Sequence, residues 1–207
     1  MSSAIDIIKD NKKVLLLAAG ILIVSMVGLY LTSQTNFLST STMPTEKKLP
    51  NYTATISTNM GTIEVDLFEK ETPQTVKNFV KLSQEGFYNG IIFHRVIPQF
   101  VIQGGDPTGT GTGGPGYKFN DEITNRKFEK YSLAMANSGP NTNGSQFFIT
   151  TGDVQESNLR FLDGKYTLFG KVTSGFDIVD SISRVNTDEN DKPVTPVTME
   201  SITIQEI

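Results

Sequence analysis

Residues 93–106 read FHRVIPQFVIQGGD, and residues 133–150 read LAMANSGPNTNGSQFFIT. Each stretch sets a few polar side chains (Arg95, Gln103, Asn137, Gln146) among strongly apolar ones such as Phe100, Val101, Phe147 and Phe148. Both are short runs of aromatic and branched residues bounded by Gly, Pro and Asn, the pattern of β-strands between turns. A polar group among core residues is costly unless it finds a partner, so these four residues require a structural or chemical reason.

Working outward, residues 52–58 and 62–68 flank Asn59-Met60-Gly61. Ile63, Val65 and Leu67 alternate with Thr62, Glu64 and Asp66, which predicts a half-buried antiparallel hairpin. Thr72-Pro73 predicts a helix start, with Thr72 as N-cap and Pro73 in the first helical position. Val76, Phe79 and Val80 form its apolar face, and Gly86 ends it. Further strands are expected around residues 92–96, 100–103, 133–136, 147–150 and 167–172, then a short helix over 176–183 and a last strand over 197–204. Many short strands, glycine-rich turns and two helices suit a mainly β domain, a closed β-barrel above all, although the pattern alone leaves a sandwich open.

The 207 residues suit one domain plus extras. With no cysteine, the chain can form no disulfide, thiolate nucleophile or thiolate metal site. The net charge of −4 is spread unevenly: residues 1–31 carry +1 and the remainder −5. An acidic domain without a basic cluster larger than Lys47-Lys48 is a poor partner for nucleic acid, and none is expected.

Residues 14–31 (VLLLAAGILIVSMVGLYL) hold no charge over 18 positions. As a helix they would span about 27 Å, close to the hydrocarbon thickness of a bilayer. A cleaved signal peptide is the alternative, but this run is long for one and Leu31-Thr32-Ser33-Gln34 offers no small-x-small cleavage site. We therefore expect a single transmembrane signal-anchor. Lys9, Lys12 and Lys13 precede it and no lysine follows until Lys47, which places residues 1–13 in the cytoplasm and the domain outside it. If the segment were cleaved, the domain would be secreted or periplasmic. Residues 32–50 read as a flexible linker, since eight of the fourteen residues in 32–45 are Ser or Thr. The folded domain is expected over 51–207, as a monomer.

Much familiar chemistry is absent from the sequence. His94 is the only histidine, which leaves at most one imidazole for a metal or a triad, and no GxSxG occurs. We expect His94 to be a core histidine satisfied by hydrogen bonds. Residues 109–114 match GxGxxG, but Pro115-Gly116 follows where a nucleotide loop needs a helix, so a surface loop beside the site is expected. Asn51-Tyr52-Thr53 and Asn143-Gly144-Ser145 are glycosylation sequons; of the two, Asn51 beside the linker is the more plausible acceptor.

The two opening stretches closely resemble the cyclophilin family of peptidyl-prolyl cis-trans isomerases, and the likeness extends from about Tyr52 to about Ile204. The resemblance implies a closed eight-stranded antiparallel β-barrel capped by two α-helices. It implies that Arg95 is the catalytic arginine, that Phe100, Val101, Phe148 and Leu162 wall a proline pocket, and that Gln103, Ala136, Asn137 and Gln146 hold the substrate backbone. Phe161 and Tyr166 stand where many members carry tryptophan and histidine, and Val101 where many carry methionine; all three are expected at the pocket.

The chemistry such a site performs requires little of the usual equipment. Amide resonance hinders rotation with a barrier of about 18–20 kcal/mol. In the twisted transition state the resonance is lost and the prolyl nitrogen regains a lone pair. A donor aimed there bonds only in the transition state, so it accelerates the reaction rather than merely binding substrate. Arginine, permanently charged with donors in a fixed fork, suits this task. The expected function is thus isomerisation of X-Pro bonds in proline-containing segments of exported or membrane-proximal proteins, without a cofactor and with a rate nearly flat between about pH 6 and 8. The rival expectation is a tethered, non-catalytic proline-peptide-binding chaperone or scaffold.

Overall fold

The computed structural model describes residues 51–153 and 159–207. The expected anchor and linker lie outside the described residues, and no described helix is long and apolar enough to cross a membrane.

Eight antiparallel strands form one sheet: β1 (Tyr52–Thr58), β2 (Gly61–Leu67), β3 (Arg95–Ile97), β4 (Val101–Gly104), β5 (Ser132–Met135), β6 (Phe147–Thr150), β7 (Leu168–Ser174) and β8 (Met199–Glu206). Their order is β3-β4-β6-β5-β7-β2-β1-β8. Irregular registers between β1 and β8, β2 and β7, and β5 and β7 bend the sheet, as bulges do. Helix α1 (Pro73–Gln84) packs on β8 and helix α2 (Phe176–Ile182) on β2. Val76 and Phe79 of α1 and Val179 and Ile182 of α2 plug the concave interior.

Two expectations are corrected here. The barrel is open, not closed: the edge strands β3 and β8 do not pair with each other. β3 has three residues and runs into Pro98, which has no N–H to continue a ladder. The irregular segment before β3 reaches the start of β8 instead, through Gly90 N–H to Met199 O (2.8 Å), Met199 N–H to Ile91 O (2.8 Å) and Phe93 N–H to Val197 O (2.9 Å). That use of residues 90–93 is also why the strand expected over 92–96 begins only at Arg95.

The start of α1 differs as well. Thr72 occupies the N-cap, but its hydroxyl donates back to Phe68 O at 3.1 Å and caps nothing. The cap comes from Glu122, whose carboxylate accepts from Gln74 N–H (3.1 Å), Thr75 N–H (2.7 Å) and the Thr75 hydroxyl (2.7 Å). A negative charge on the free N–H groups of a helix start is favourable on both hydrogen-bond and dipole grounds.

Alternation along each strand divides the apolar residues between two cores. Val96, Ile102, Leu133, Met135, Phe147 and Ile149 point inward to the main core. There Phe147 meets Phe79 edge-on, with ring centroids 5.6 Å apart. Val101, Ala134, Phe148 and Leu168 point to the other face of the same sheet, where Phe128, Leu159 and Leu162 complete a second, smaller cluster.

Candidate active site

The second cluster lies where the two opening stretches meet. β4 pairs with β3 on one side and with β6 on the other, so Arg95, Gln103 and Phe148 stand in one cross-strand row; Ala134 on β5 and Leu168 on β7 extend it. Residues directly opposite in a sheet share a face. The single row therefore brings a guanidinium, an amide and an aromatic wall together.

The wall is built from rings. Phe100 and Phe161 lie 5.8 Å apart between centroids, and Phe148 and Tyr166 meet edge-on at 5.6 Å. Phe100, Ala136 and Tyr166 are partly buried against the cluster that holds Val101, Phe148 and Leu162. Phe161, 45% exposed, forms the outer lip. Every apolar residue expected at the pocket is thus in this region. Phe128 was not foreseen. It is buried and stacks on Phe148 at 6.1 Å, but it comes from an irregular stretch in which no periodicity marks a buried position.

The polar residues form a connected set. Gln103 Nε2 donates to Gln146 Oε1 at 3.0 Å, and Gln146 Nε2 donates to Gly111 O and Gly113 O, both at 2.9 Å. The glycine-rich loop, expected only as a surface loop beside the site, is therefore also part of its frame. Arg95 is 41% exposed at its side chain, and its Nε lies 3.6 Å from Asp191 Oδ2. Asp191 is in turn tied to β3, since its carbonyl accepts from Val96 N–H at 2.8 Å.

Asn137 uses its side chain for structure. Nδ2 donates to Lys165 O at 3.1 Å, and Oδ1 accepts from Gly139 N–H at 3.3 Å. Its backbone N–H and carbonyl make no hydrogen bond to any described residue, whereas Ala136 N–H is committed to Gln146 O at 2.9 Å. The polypeptide edge at Asn137 is thus open to an extended chain.

Two polar recesses adjoin the wall rather than coincide with it. One of about 610 Å³ runs from Gln103 and Gln146 along the glycine-rich loop to Ala136 and Asn137. The other, about 390 Å³, is bordered by His94, Arg95, Gln103, Gly111 and Lys192. Gln103 stands between them.

The QGGD turn explains how β4 ends. A side chain at Gly104 would crowd Met199 and Phe93. Gly105, with φ of 85°, adopts a backbone that other residues avoid, and a Cβ there would strike the Ser145 carbonyl.

The expectation for His94 is corrected. It is buried, at 6% exposure, yet neither ring nitrogen has a hydrogen-bond partner among the described residues. Burial holds its pKa below the ordinary value, with Asp106 opposing and Lys192 and Arg95 reinforcing the effect. Asn143 is fully buried and donates to Asp121 at 2.8 Å, so a glycan cannot reach it in the folded chain. Asn51 is exposed. No group of three or more His, Cys, Asp or Glu side chains able to hold a metal occurs among the described residues.

The family model for the cyclophilin type peptidyl-prolyl cis-trans isomerase/CLD matches residues 53–204. The peptidyl-prolyl cis-trans isomerase A of Mycobacterium tuberculosis is 49% identical over 179 residues, covering 77% of this chain and 96% of the relative. The Schizosaccharomyces pombe isomerase ppi1 is 48% identical over 147 residues, covering 69% of this chain and 92% of the relative. A crystal structure of a Cryptosporidium parvum cyclophilin type isomerase, in the presence of the dipeptide ala-pro, superposes with a TM-score of 0.69 at 41% identity, covering 74% of this chain and 98% of the other.

Proposed function

Because the chain belongs to the cyclophilin-type peptidyl-prolyl cis-trans isomerases, and is thus an enzyme acting on X-Pro bonds, we propose that Arg95 is its catalytic residue and that the outer-face cluster holds the proline ring. The observation that carries this assignment is the cross-strand row Arg95–Gln103–Phe148. It sets a donor-only cation next to an apolar wall, which is the pairing that a twisting prolyl amide requires.

The roles divide by chemistry. Phe100, Val101, Phe148, Leu162 and Tyr166 take the pyrrolidine ring, with Phe161 at the lip; this contact holds the ring while the rest of the amide turns. The open edge at Asn137, beside Ala136, pairs with an extended substrate backbone. Gln103 and Gln146 fix the substrate backbone next to the ring. Arg95 then donates to the prolyl nitrogen once its lone pair appears. Asp191 on the Nε side leaves the terminal Nη groups for that contact. No proton changes hands, so the reaction calls for no acid or base.

The substrates we assign are X-Pro bonds in exposed or unfolded segments of exported or membrane-proximal proteins. The support is the uncharged run over 14–31 and the lysines before it. On this reading the chain is a single-pass membrane protein with its catalytic domain outside the cytoplasm. Protease added to intact cells should degrade the domain, and the mass of the mature N-terminus should include residues 1–31; a domain protected from protease would overturn the placement.

A proline-limited refolding assay tests the activity. Uncatalysed isomerisation takes about 10–100 s. Catalytic amounts of the purified chain should shorten that phase. Binding of proline peptides without acceleration would favour the scaffold reading instead.

A further inference from the structure

Asp106 is the last residue of the QGGD turn and is almost wholly buried, at 1% exposure. Its Oδ1 accepts from Thr108 N–H (2.7 Å) and the Thr108 hydroxyl (2.8 Å), and its Oδ2 from Thr110 N–H (3.1 Å) and Gly111 N–H (2.6 Å). Burial alone would raise its pKa. The donors of Thr108, Gly113 and Gly111 outweigh that and bring it to about 2, so the group is a fixed anion at neutral pH. One buried carboxylate thus holds the glycine-rich loop over residues 108–113.

The loop then dictates a polarity. Gly111 O and Gly113 O can only accept, so the end of the Gln146 amide that meets them must be its NH₂. Gln146 Oε1 is left to meet Gln103, which must answer with its own NH₂. Gln103 Oε1 is therefore turned away from Gln146, and no described residue donates to it. Arg95 is the cross-strand partner of Gln103, and a guanidinium has donors only. Each amide in the series has one permitted orientation, and the series ends on Gln103 Oε1, an acceptor without a donor among the described residues, on the sheet face that Gln103 shares with Arg95. Either amide reversed would leave an NH₂ as that free end, on the same face as a donor-only cation.

We propose that Asp106 is a positioning residue for the isomerase: by pinning the glycine-rich loop it fixes the polarity of Gln146 and then of Gln103, and so which end of the Gln103 amide is presented on the face it shares with Arg95. The proposal rests on the reading of Arg95 as catalytic. It extends that reading to a residue that touches neither substrate nor guanidinium.

Asp106→Asn in the full chain tests it. The substitution keeps the size but puts an NH₂ among N–H donors, which releases the loop. The expected result is an unchanged far-UV spectrum, a fall of about tenfold in kcat with little change in KM, and shifted side-chain NH₂ resonances of Gln103 and Gln146. The decisive comparison is a double-mutant cycle with Gln146→Ala, in which the series is already cut. There Asp106→Asn should cost less than about twofold. A merely structural Asp106 would cost the same in both backgrounds, and that result would overturn the proposal, as would unmoved glutamine resonances. Should Asp106→Asn not fold, Thr108→Val removes a single donor at an exposed position; a fall of about two- to threefold that vanishes in the Gln146→Ala background is expected, and persistence of the fall in that background refutes the proposal. If the unmodified chain fails to accelerate X-Pro rotation, the assignment of Arg95 fails, while the glutamine resonances still report on the pinned loop.

Discussion

Phe147 and Phe148 are consecutive, yet their rings belong to different cores. Phe147 is inside the half-barrel against Phe79, and Phe148 is on the opposite face of β6, stacked on Phe128. Truncating a buried phenylalanine costs about 3–5 kcal/mol, so Phe147→Ala should lower stability by that order while the folded fraction keeps its KM. Phe148→Ala should also destabilise, but it should raise KM for X-Pro peptides several fold. Urea unfolding and peptide kinetics separate the two; an equal rise in KM for both variants would mean that the faces are not functionally distinct.

Arg95 is half exposed and its ion pair with Asp191 is a surface one, which is worth little in stability. Arg95→Ala should therefore shift unfolding by less than about 1 kcal/mol and lower kcat/KM by about a hundredfold, the loss typical of a removed transition-state donor. Arg95→Lys should not rescue it fully, since a point charge does not reproduce the fork. Near-normal turnover by Arg95→Ala would remove the central assignment.

The chain contains no tryptophan. Phe161 sits at the pocket lip beside Phe100, 45% exposed, so Phe161→Trp should fold normally and supply a single indole, excitable apart from the tyrosines, at the site. Its emission should shift when an Ala-Pro peptide is added and should not respond to the same peptide with alanine in place of proline. Identical responses to both peptides would argue that the ring does not enter this wall.

Glu122 caps α1 from 47 residues downstream of Thr75. Removal of such a cap costs about 0.5–2 kcal/mol. For a domain of this size Glu122→Ala should lower Tm by about 2–8 °C, and Thr72→Ala should lower it less, because the Thr72 hydroxyl does not cap. A reversal of that order in a thermal scan would contradict the observed start of the helix.

Burial holds the His94 pKa below its ordinary value, so the folded protein keeps the ring neutral where the unfolded chain would protonate it. The unfolded state then binds more protons below about pH 6.5, and stability should be fully present above that pH and decline as pH falls toward the folded pKa. His94→Gln should flatten the slope below about pH 6.5 in urea unfolding, with kcat/KM constant from about pH 6.5 to 8 in the unmodified chain. An unchanged slope in the variant would show that His94 is not the source.

Much of the fold was legible because alternation is a local property. The hairpin of β1 and β2, the face of α1 with Val76, Phe79 and Val80, and its end at Gly86 depend on neighbours within a few residues, and the structure has them close to where the pattern sets them. The resemblance located Arg95, Gln103, Gln146 and the aromatic residues in one region, because the motif carries a three-dimensional arrangement along with its letters.

What remained hidden depends on which distant groups meet. The capping residue of α1 is Glu122 rather than Thr72, since a distant carboxylate competes with the local hydroxyl. The barrel fails to close because β3 is cut short at Pro98, and whether residues 90–93 pair with β8 as a strand or only bridge it depends on the bend of the whole sheet. No local signal distinguishes Phe147 from Phe148, nor reveals Phe128 as part of the wall. The amino-acid sequence by itself determined the alternation, the turns and the chemical inventory, because these follow from the covalent chain and its nearest neighbours. Tertiary structure alone decided which face of the sheet became a site and which polar groups were turned toward it, because register and sheet curvature are set by contacts between segments far apart in the chain.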